Sequence, residues 1–221
     1  MVRRLSTVVT VLLWLLLSAS FASASSELLN FNYLQSGQQV GNFYNGSSGN
    51  SSVPNFGVAF SSNFYGLKSV GQGGPGNFSP DPTYTPAIFI SGATGSPATG
   101  TMNVTNGFSG GINFFYTAAF RETVTIWSGA NGTGTVLATI TLAGNDANCS
   151  NVGYCNWTNV GVSLSSTAKS VTFSGPANGL GISDITLGQS SSAVPEPSSI
   201  YLLGTGIVGF CAQNIRRFTK A

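Results

Sequence analysis

The chain reads as an all-β protein, a two-sheet antiparallel sandwich of jelly-roll type, and three observations predict it. Short runs rich in Val, Ile, Thr and aromatics recur between clusters of Gly, Asn, Pro and Ser. No window between Ser25 and Ala193 holds a helical period of apolar residues. Within those runs Thr alternates with Val, Ile or Leu, which puts one face on a core and the other in water.

The elements follow in order. Met1 to Ala24 lies before the sandwich. Arg3 and Arg4, an apolar stretch from Val8 to Leu17 and a small-residue site at Ala22-Ser23-Ala24 make it a secretory signal peptide, helical in its apolar part. Residues 25–188 form the domain that folds, long enough for one substantial core. Its expected strands are Leu28 to Leu34, Phe56 to Phe60, Ala87 to Ile90, Ile112 to Tyr116, Val124 to Trp127, Val136 to Leu142, Val160 to Leu164, Ser170 to Phe173 and Gly181 to Leu187. Asn131-Gly132 between two of them is a hairpin signal. Asn42 to Ser52 and Gly71 to Thr85 read as long loops, the usual place for binding.

Charge excludes some partners. The domain has three basic residues (Lys68, Arg121, Lys169) against five acidic ones (Glu27, Asp81, Glu122, Asp146, Asp184), a net of −2. Nucleic acid is therefore not an expected partner. Solubility rests on Ser, Thr, Asn and Gly, a surface suited to neutral hydrogen-bonding partners.

Catalytic patterns lack their chemistry. Gly107-Phe108-Ser109-Gly110-Gly111 matches G-x-S-x-G, but the chain has no histidine to act as base. This segment reads as a turn before the strand at Ile112. Gly71 to Gly76 matches G-x-G-x-x-G, but Pro75 and the absence of a following helix exclude a dinucleotide turn. The five acids are scattered singly, so a glycoside hydrolase is a remote alternative. We expect no enzyme.

Cys149 and Cys155 are spaced for a small disulfide loop, which export favours. No cofactor is required. Jelly-roll carbohydrate-binding domains often carry a structural calcium ion between first and last strands, and here Glu27, Asn30 and Asp184 are the candidate ligands. If the domain binds sugar, Tyr44, Tyr65, Tyr84, Tyr154 and Trp157 are the candidate stacking residues.

Residues 189–193 are a Ser-rich linker, and 194–221 form a separate tail. Val194-Pro195-Glu196-Pro197 cannot continue a strand ladder and is disfavoured for helix, so it is extended and exposed. An apolar run follows, with Gly204, Gly206 and Gly209 in it, and reads as a transmembrane helix over about 200–214. Its most apolar part, about 13 residues, reaches about 20 Å as a helix, short of the ~30 Å hydrocarbon core. Arg216, Arg217 and Lys220 then set a cytoplasmic end by the positive-inside rule. A short span behind an exposed motif suits a tail held in the membrane until it is cut.

In this order of parts the tail resembles the PEP-CTERM sorting signal, also known as the ice-binding protein C-terminal domain. The resemblance implies a Gram-negative bacterium that makes extracellular polysaccharide. It also implies an exosortase, a membrane cysteine protease or transpeptidase, acting at Val194-Pro195-Glu196-Pro197. Export through the general secretion machinery and signal peptidase, transient inner-membrane anchoring and a place at the cell surface or in an exopolysaccharide or biofilm matrix go with it. Ice binding is not expected, because Thr123-Val124-Thr125 and Thr139-Ile140-Thr141 belong to no repeat. The stretches from Phe114 to Ala118, Val124 to Gly129 and Gly132 to Ala138 are similar to domains that often precede this tail. The endings Ser170-Val171-Thr172-Phe173 and Ile182 to Leu187 also look like the last strands of some carbohydrate-binding jelly-rolls. A carbohydrate-binding module is therefore the alternative reading.

Overall fold

The structure is a computed structural model that describes residues 26–188. The signal peptide, the linker and the tail with its apolar span and basic end lie outside the described residues. Among the described residues no helix is long and apolar enough to cross a membrane.

The described residues hold nine strands: β1 Glu27–Leu29, β2 Val58–Phe60, β3 Phe64–Leu67, β4 Ala87–Ile90, β5 Pro97–Ala118, β6 Glu122–Trp127, β7 Val136–Leu142, β8 Thr158–Pro176 and β9 Leu180–Leu187. All pairings between them are antiparallel. They make one hydrogen-bonded sheet in the order β3-β4-β9-β5-β8-β6-β7, with β1 beside β9 and β2 beside β5.

That sheet folds over on itself. β5 and β8 are 22 and 19 residues long and pair along most of their lengths, but their register shifts between Asn103 and Gly110. On one side of the shift, Met102 to Val104 pairs with β2, and Ser170 to Ser174 pairs with β6. On the other side, Ile112 to Ala118 pairs with β9. The two halves thus become two layers joined by two bent strands. Gly107 and Gly110 take φ of 73° and 86° at the bend, which glycine adopts without strain. This is where the G-x-S-x-G segment lies. It is not a turn before a strand but the bend of a continuous one.

The core fills the space between the layers. Phe64 from β3 and Phe114 from β5 meet Phe173 from β8 edge-on, at 6.0 and 5.8 Å between ring centroids. Leu29, Ile88, Met102, Val124, Ile126 and Ile182 complete it, all fully buried. The expected alternation is visible in β6, where Glu122, Val124 and Ile126 face inward.

Three expectations are corrected. The first strand ends at Leu29, because Phe31 has φ 56° and the chain turns there. β3 and the first half of β5 are strands beyond those expected, because Gly66 and Gly100 interrupt their apolar pattern. The two runs at Val160 and Ser170 form a single strand through the polar stretch Ser165-Ser166-Thr167.

Candidate functional site

On the outer face of the layer that holds β4 and β9, glycine leaves a hollow. Register places Tyr65 on β3 opposite Phe89 on β4, Phe89 opposite Gly181 on β9, and Gly181 opposite Thr117 on β5. Side chains on one row share a face. Gly181 has none, so the floor drops between Phe89 and Thr117. A β-carbon there would stand 3.1 Å from Thr117 Cγ2 and 3.6 Å from Trp157 Cη2.

Two loops raise the walls. Asn77 and Phe78 come from the loop between β3 and β4, and Tyr154 from the loop between β7 and β8. The loops are stitched together: Tyr154 N–H donates to Asn77 O at 3.2 Å and Ser79 N–H to Tyr154 O at 2.8 Å. Gly153 N–H donates to Asn77 Oδ1 at 2.9 Å, and Trp157 Nε1–H to Ser79 O at 2.9 Å. Cys149 and Cys155 form a disulfide that closes the second loop, with 5.4 Å between α-carbons. The Tyr154 hydroxyl donates to Asn178 O at 3.0 Å, which ties the ring to the turn between β8 and β9. Burial pushes the Tyr154 phenol up, and the charges of Asp146 and Glu122 add to this.

The result is a cavity of about 240 Å³ with a mostly apolar lining that includes Leu67, Phe78, Phe89, Tyr154 and Leu180. One polar atom beneath the lining is unsatisfied. Thr117 is buried, lines the cavity, and its Oγ1 has no hydrogen-bond partner. An orphaned buried hydroxyl costs about 1–3 kcal/mol. No Lys, Arg, Asp or Glu lines the cavity.

The sequence candidates separate. Tyr154 lines the hollow and Trp157 backs it, the latter edge-on to Phe78 at 6.0 Å. Tyr65 touches the rim through Phe89, with ring centroids 6.3 Å apart. Tyr44 is in the core, where its hydroxyl oxygen accepts Phe31 N–H at 2.8 Å. Burial pushes its phenol up to about 12. Tyr84 is exposed elsewhere on the surface. Sequence reasoning missed Thr117, Phe78 and Phe89. The signal for them is a register that places Gly181 between Phe89 and Thr117, which no local pattern contains.

The three calcium candidates are not brought together. Glu27 stands opposite Leu187, and Leu29 opposite Ile185. Glu27 is thus three positions along the ladder from the level of Asp184, about 10 Å. Asn30 Oδ1 accepts Asn32 N–H at 3.3 Å. Asp184 instead meets Asp81. β9 bulges between Ser183 and Thr186, and Asp184 at φ 49° turns its carboxyl toward the loop that fills the gap between β4 and β1. Asp81 Oδ1 accepts Thr85 N–H at 2.7 Å. Its Oδ2 lies 2.7 Å from the Thr83 hydroxyl and 2.9 Å from the hydroxyls of Thr85 and Ser183. Thr83 Oγ1 also bonds Asp184 Oδ2, and one hydroxyl proton cannot serve both acids. Burial pushes the Asp184 carboxyl up, and the Asp81 charge adds to this against the Thr83 hydrogen bond. A calcium ion held by Glu27, Asn30 and Asp184 does not fit this arrangement. Among the described residues no three His, Cys, Asp or Glu side chains converge. The two acids are buried and face each other through hydroxyls, not across a cleft, so they are not placed as a hydrolase pair.

No curated protein matches the chain. Solved structures with similar layout include a family 6 carbohydrate-binding module, 14% identical, covering 74% of this chain and 94% of that one at a TM-score of 0.37. A family 29 carbohydrate-binding module is 10% identical over 78% of this chain and 96% of its own, at a TM-score of 0.43. The cleaved adhesin domain of Lys-gingipain from Porphyromonas gingivalis is 13% identical over 76% of this chain and 99% of its own, at 0.42. The specific match lies elsewhere, on Val194-Pro195-Glu196-Pro197, the apolar run and the arginine pair: over residues 193–217 the chain carries a PEP-CTERM protein-sorting motif.

Proposed function

We propose that this protein is an exported surface or matrix protein, handled through its tail by an exosortase and working in an exopolysaccharide or biofilm setting. The observation that carries it is the PEP-CTERM motif over residues 193–217. In this reading Pro195, Glu196 and Pro197 are recognised by the exosortase. The apolar run from Ile200 holds the tail in the inner membrane, and Arg216, Arg217 and Lys220 keep its end in the cytoplasm. Signal peptidase removes residues 1–24 after export through the general pathway. The ectodomain does no chemistry. Fractionation of a host with and without its exosortase tests this. The protein is expected at the surface or in the medium of the wild type and in the inner membrane of the mutant; the same distribution in both contradicts it.

A second reading has its own observation. The sandwich binds carbohydrate, and the hollow walled by aromatic side chains, with no charged residue in its lining, favours it. Aromatic rings offer faces to the C–H groups of a sugar, and amides and hydroxyls at the rim offer hydrogen bonds.

A further inference from the structure

We infer that a second cleft, between the turn at Asn30 to Tyr33 and the turn at Ser52 to Pro54, binds one neutral sugar ring through the Asn30 and Asn32 amides, the Ser52 hydroxyl and the ring of Tyr33. This rests on the carbohydrate reading of the ectodomain and goes beyond it by assigning a site apart from the hollow, with its ligand class and its contact groups.

Two turns anchored in the core build the cleft. Phe31 takes φ 56° and is fully buried. Its N–H donates to the Tyr44 hydroxyl at 2.8 Å, and its carbonyl accepts Leu34 N–H at 2.9 Å. This fixes a turn in which Asn32 and Tyr33 stay exposed. On the other side, Asn50 closes a turn by accepting Val53 N–H on its carbonyl at 3.0 Å and Ser52 N–H on its Oδ1 at 3.0 Å. Val53 is buried there, while Ser52 and Pro54 are exposed. Between the turns lies a cleft of about 200 Å³, which Leu28 of β1 also lines.

Its polar groups are accessible and have bonds to give. Asn30 uses only its Oδ1, which accepts Asn32 N–H at 3.3 Å. Among the described residues the Asn30 Nδ2, the Asn32 amide and the hydroxyls of Ser52 and Tyr33 make no hydrogen bond. These residues are exposed or half-buried, unlike Thr117 under the hollow. An amide sets a donor beside an acceptor, and neighbouring hydroxyls on a sugar ring answer both.

Apolar surface lies beside them. Tyr33 is 49% exposed and Leu28 47%, and both line the cleft. An aromatic ring takes the C–H face of a sugar. A ligand that satisfies the whole lining therefore has hydroxyls on its edge and C–H groups on its face. A purely apolar ligand strips water from two amides and a hydroxyl and returns no hydrogen bond. A charged one finds no counter-charge, since no Lys, Arg, Asp or Glu lines the cleft, and nothing compensates it for lost water. The volume is below the ~300–1,000 Å³ of sites for drug-sized ligands, which limits direct contact to one ring.

The cleft and the hollow share no lining residue. Leu28 stands opposite Thr186 on β9, and Gly181 of the hollow lies roughly 17 Å back along that strand. Variants in one are therefore silent reporters for the other.

The test uses the full chain, purified in detergent, on a glycan array and then titrated with methyl glycosides of the neutral hexoses. The titrations are made in the wild type and in Phe89→Ala, which removes a wall of the hollow, so that the cleft is read alone. We expect binding to neutral glycans in both. Asn32→Ala and Tyr33→Ala remove exposed side chains and leave the melting temperature within about 2 °C. Each lowers affinity for the glycoside about tenfold, as for loss of one hydrogen bond or one stacking contact. Tyr84→Ala removes an exposed tyrosine that lines neither site and leaves affinity unchanged. Glycan binding that Phe89→Ala abolishes, and that both cleft variants leave intact, overturns the cleft and keeps the carbohydrate reading. Preference of the cleft for acidic or amino sugars, or for neutral peptides, overturns the ligand class. No glycan binding by the wild type overturns both the cleft and the carbohydrate reading.

Discussion

Glu122 is a buried acid whose chemistry departs from that of a free side chain. It opens β6 with its carboxyl turned inward, buried under the backbone of Gly175 and Gly179. A β-carbon on Gly175 would fall 1.4 Å from Glu122 Oε2, so only glycine passes over this carboxyl. Oε1 has no hydrogen-bond partner, and Arg121 beside it is exposed and offers none. Burial pushes the Glu122 carboxyl up to about 7 from its ordinary value of 4.5. The folded protein therefore holds this proton more tightly than the unfolded chain does. The stabilisation is fully present below about pH 4.5 and is lost as pH rises through about 7. Asp184 and Glu27, also raised by burial, act in the same direction. We expect the melting temperature to fall by a few degrees between pH 5 and 8. Glu122→Gln should flatten most of that fall, in thermal scans across the same range. A variant that keeps the full slope would place its origin in other groups.

At the scale of elements, the molecule depends on two devices. One is the bend of β5 and β8, where glycines at 107 and 110 let one sheet become two layers. The other is the disulfide loop that makes one wall of the hollow. Closing a loop with a sequence separation of 6 stabilises by about 2 kcal/mol, or about 4–8 °C in a domain of this size. The pair Cys149→Ser and Cys155→Ser should lower the melting temperature by that amount, without unfolding the sandwich. Because Tyr154 is held from this loop, glycan affinity should fall further than stability alone explains. Calorimetry and titration on the same sample separate the two effects.

What could be read from the sequence follows from how local each feature is. Val136 to Leu142 and Ala87 to Ile90 are apolar, β-branched and flanked by turn residues, and both are strands with the expected bounds. The Cys149–Cys155 bridge is likewise a local matter of spacing. β3 is not legible, because Gly66 lies within it and its partner β4 is 20 residues on. The continuity of β8 is not legible either. Ser165 to Thr167 are polar because they face solvent at the bend, and local pattern reads that as a loop. Tyr154 and Trp157 could be named as aromatics, but the hollow needs register across three strands. Asp81 and Asp184 are separated by more than 100 residues and meet only through the bulge in β9.

For the whole molecule, the tail and the sandwich carry different parts of the account. The sandwich is nearly uncharged, has its chain ends at one pole and carries a hollow lined by aromatics near the other. The tail carries the sorting motif, matched over residues 193–217. Processing of that tail is the central claim, since destination decides what the hollow can meet. The measurement that tests it most directly is the intact mass of the mature protein from cells and from medium, for wild type and for Glu196→Ala. The account predicts a wild-type chain that ends near Pro195 to Ser198 and a variant that keeps its tail. Wild-type protein that retains Arg216 and Lys220 in both fractions would contradict exosortase processing and leave the tail as an anchor alone.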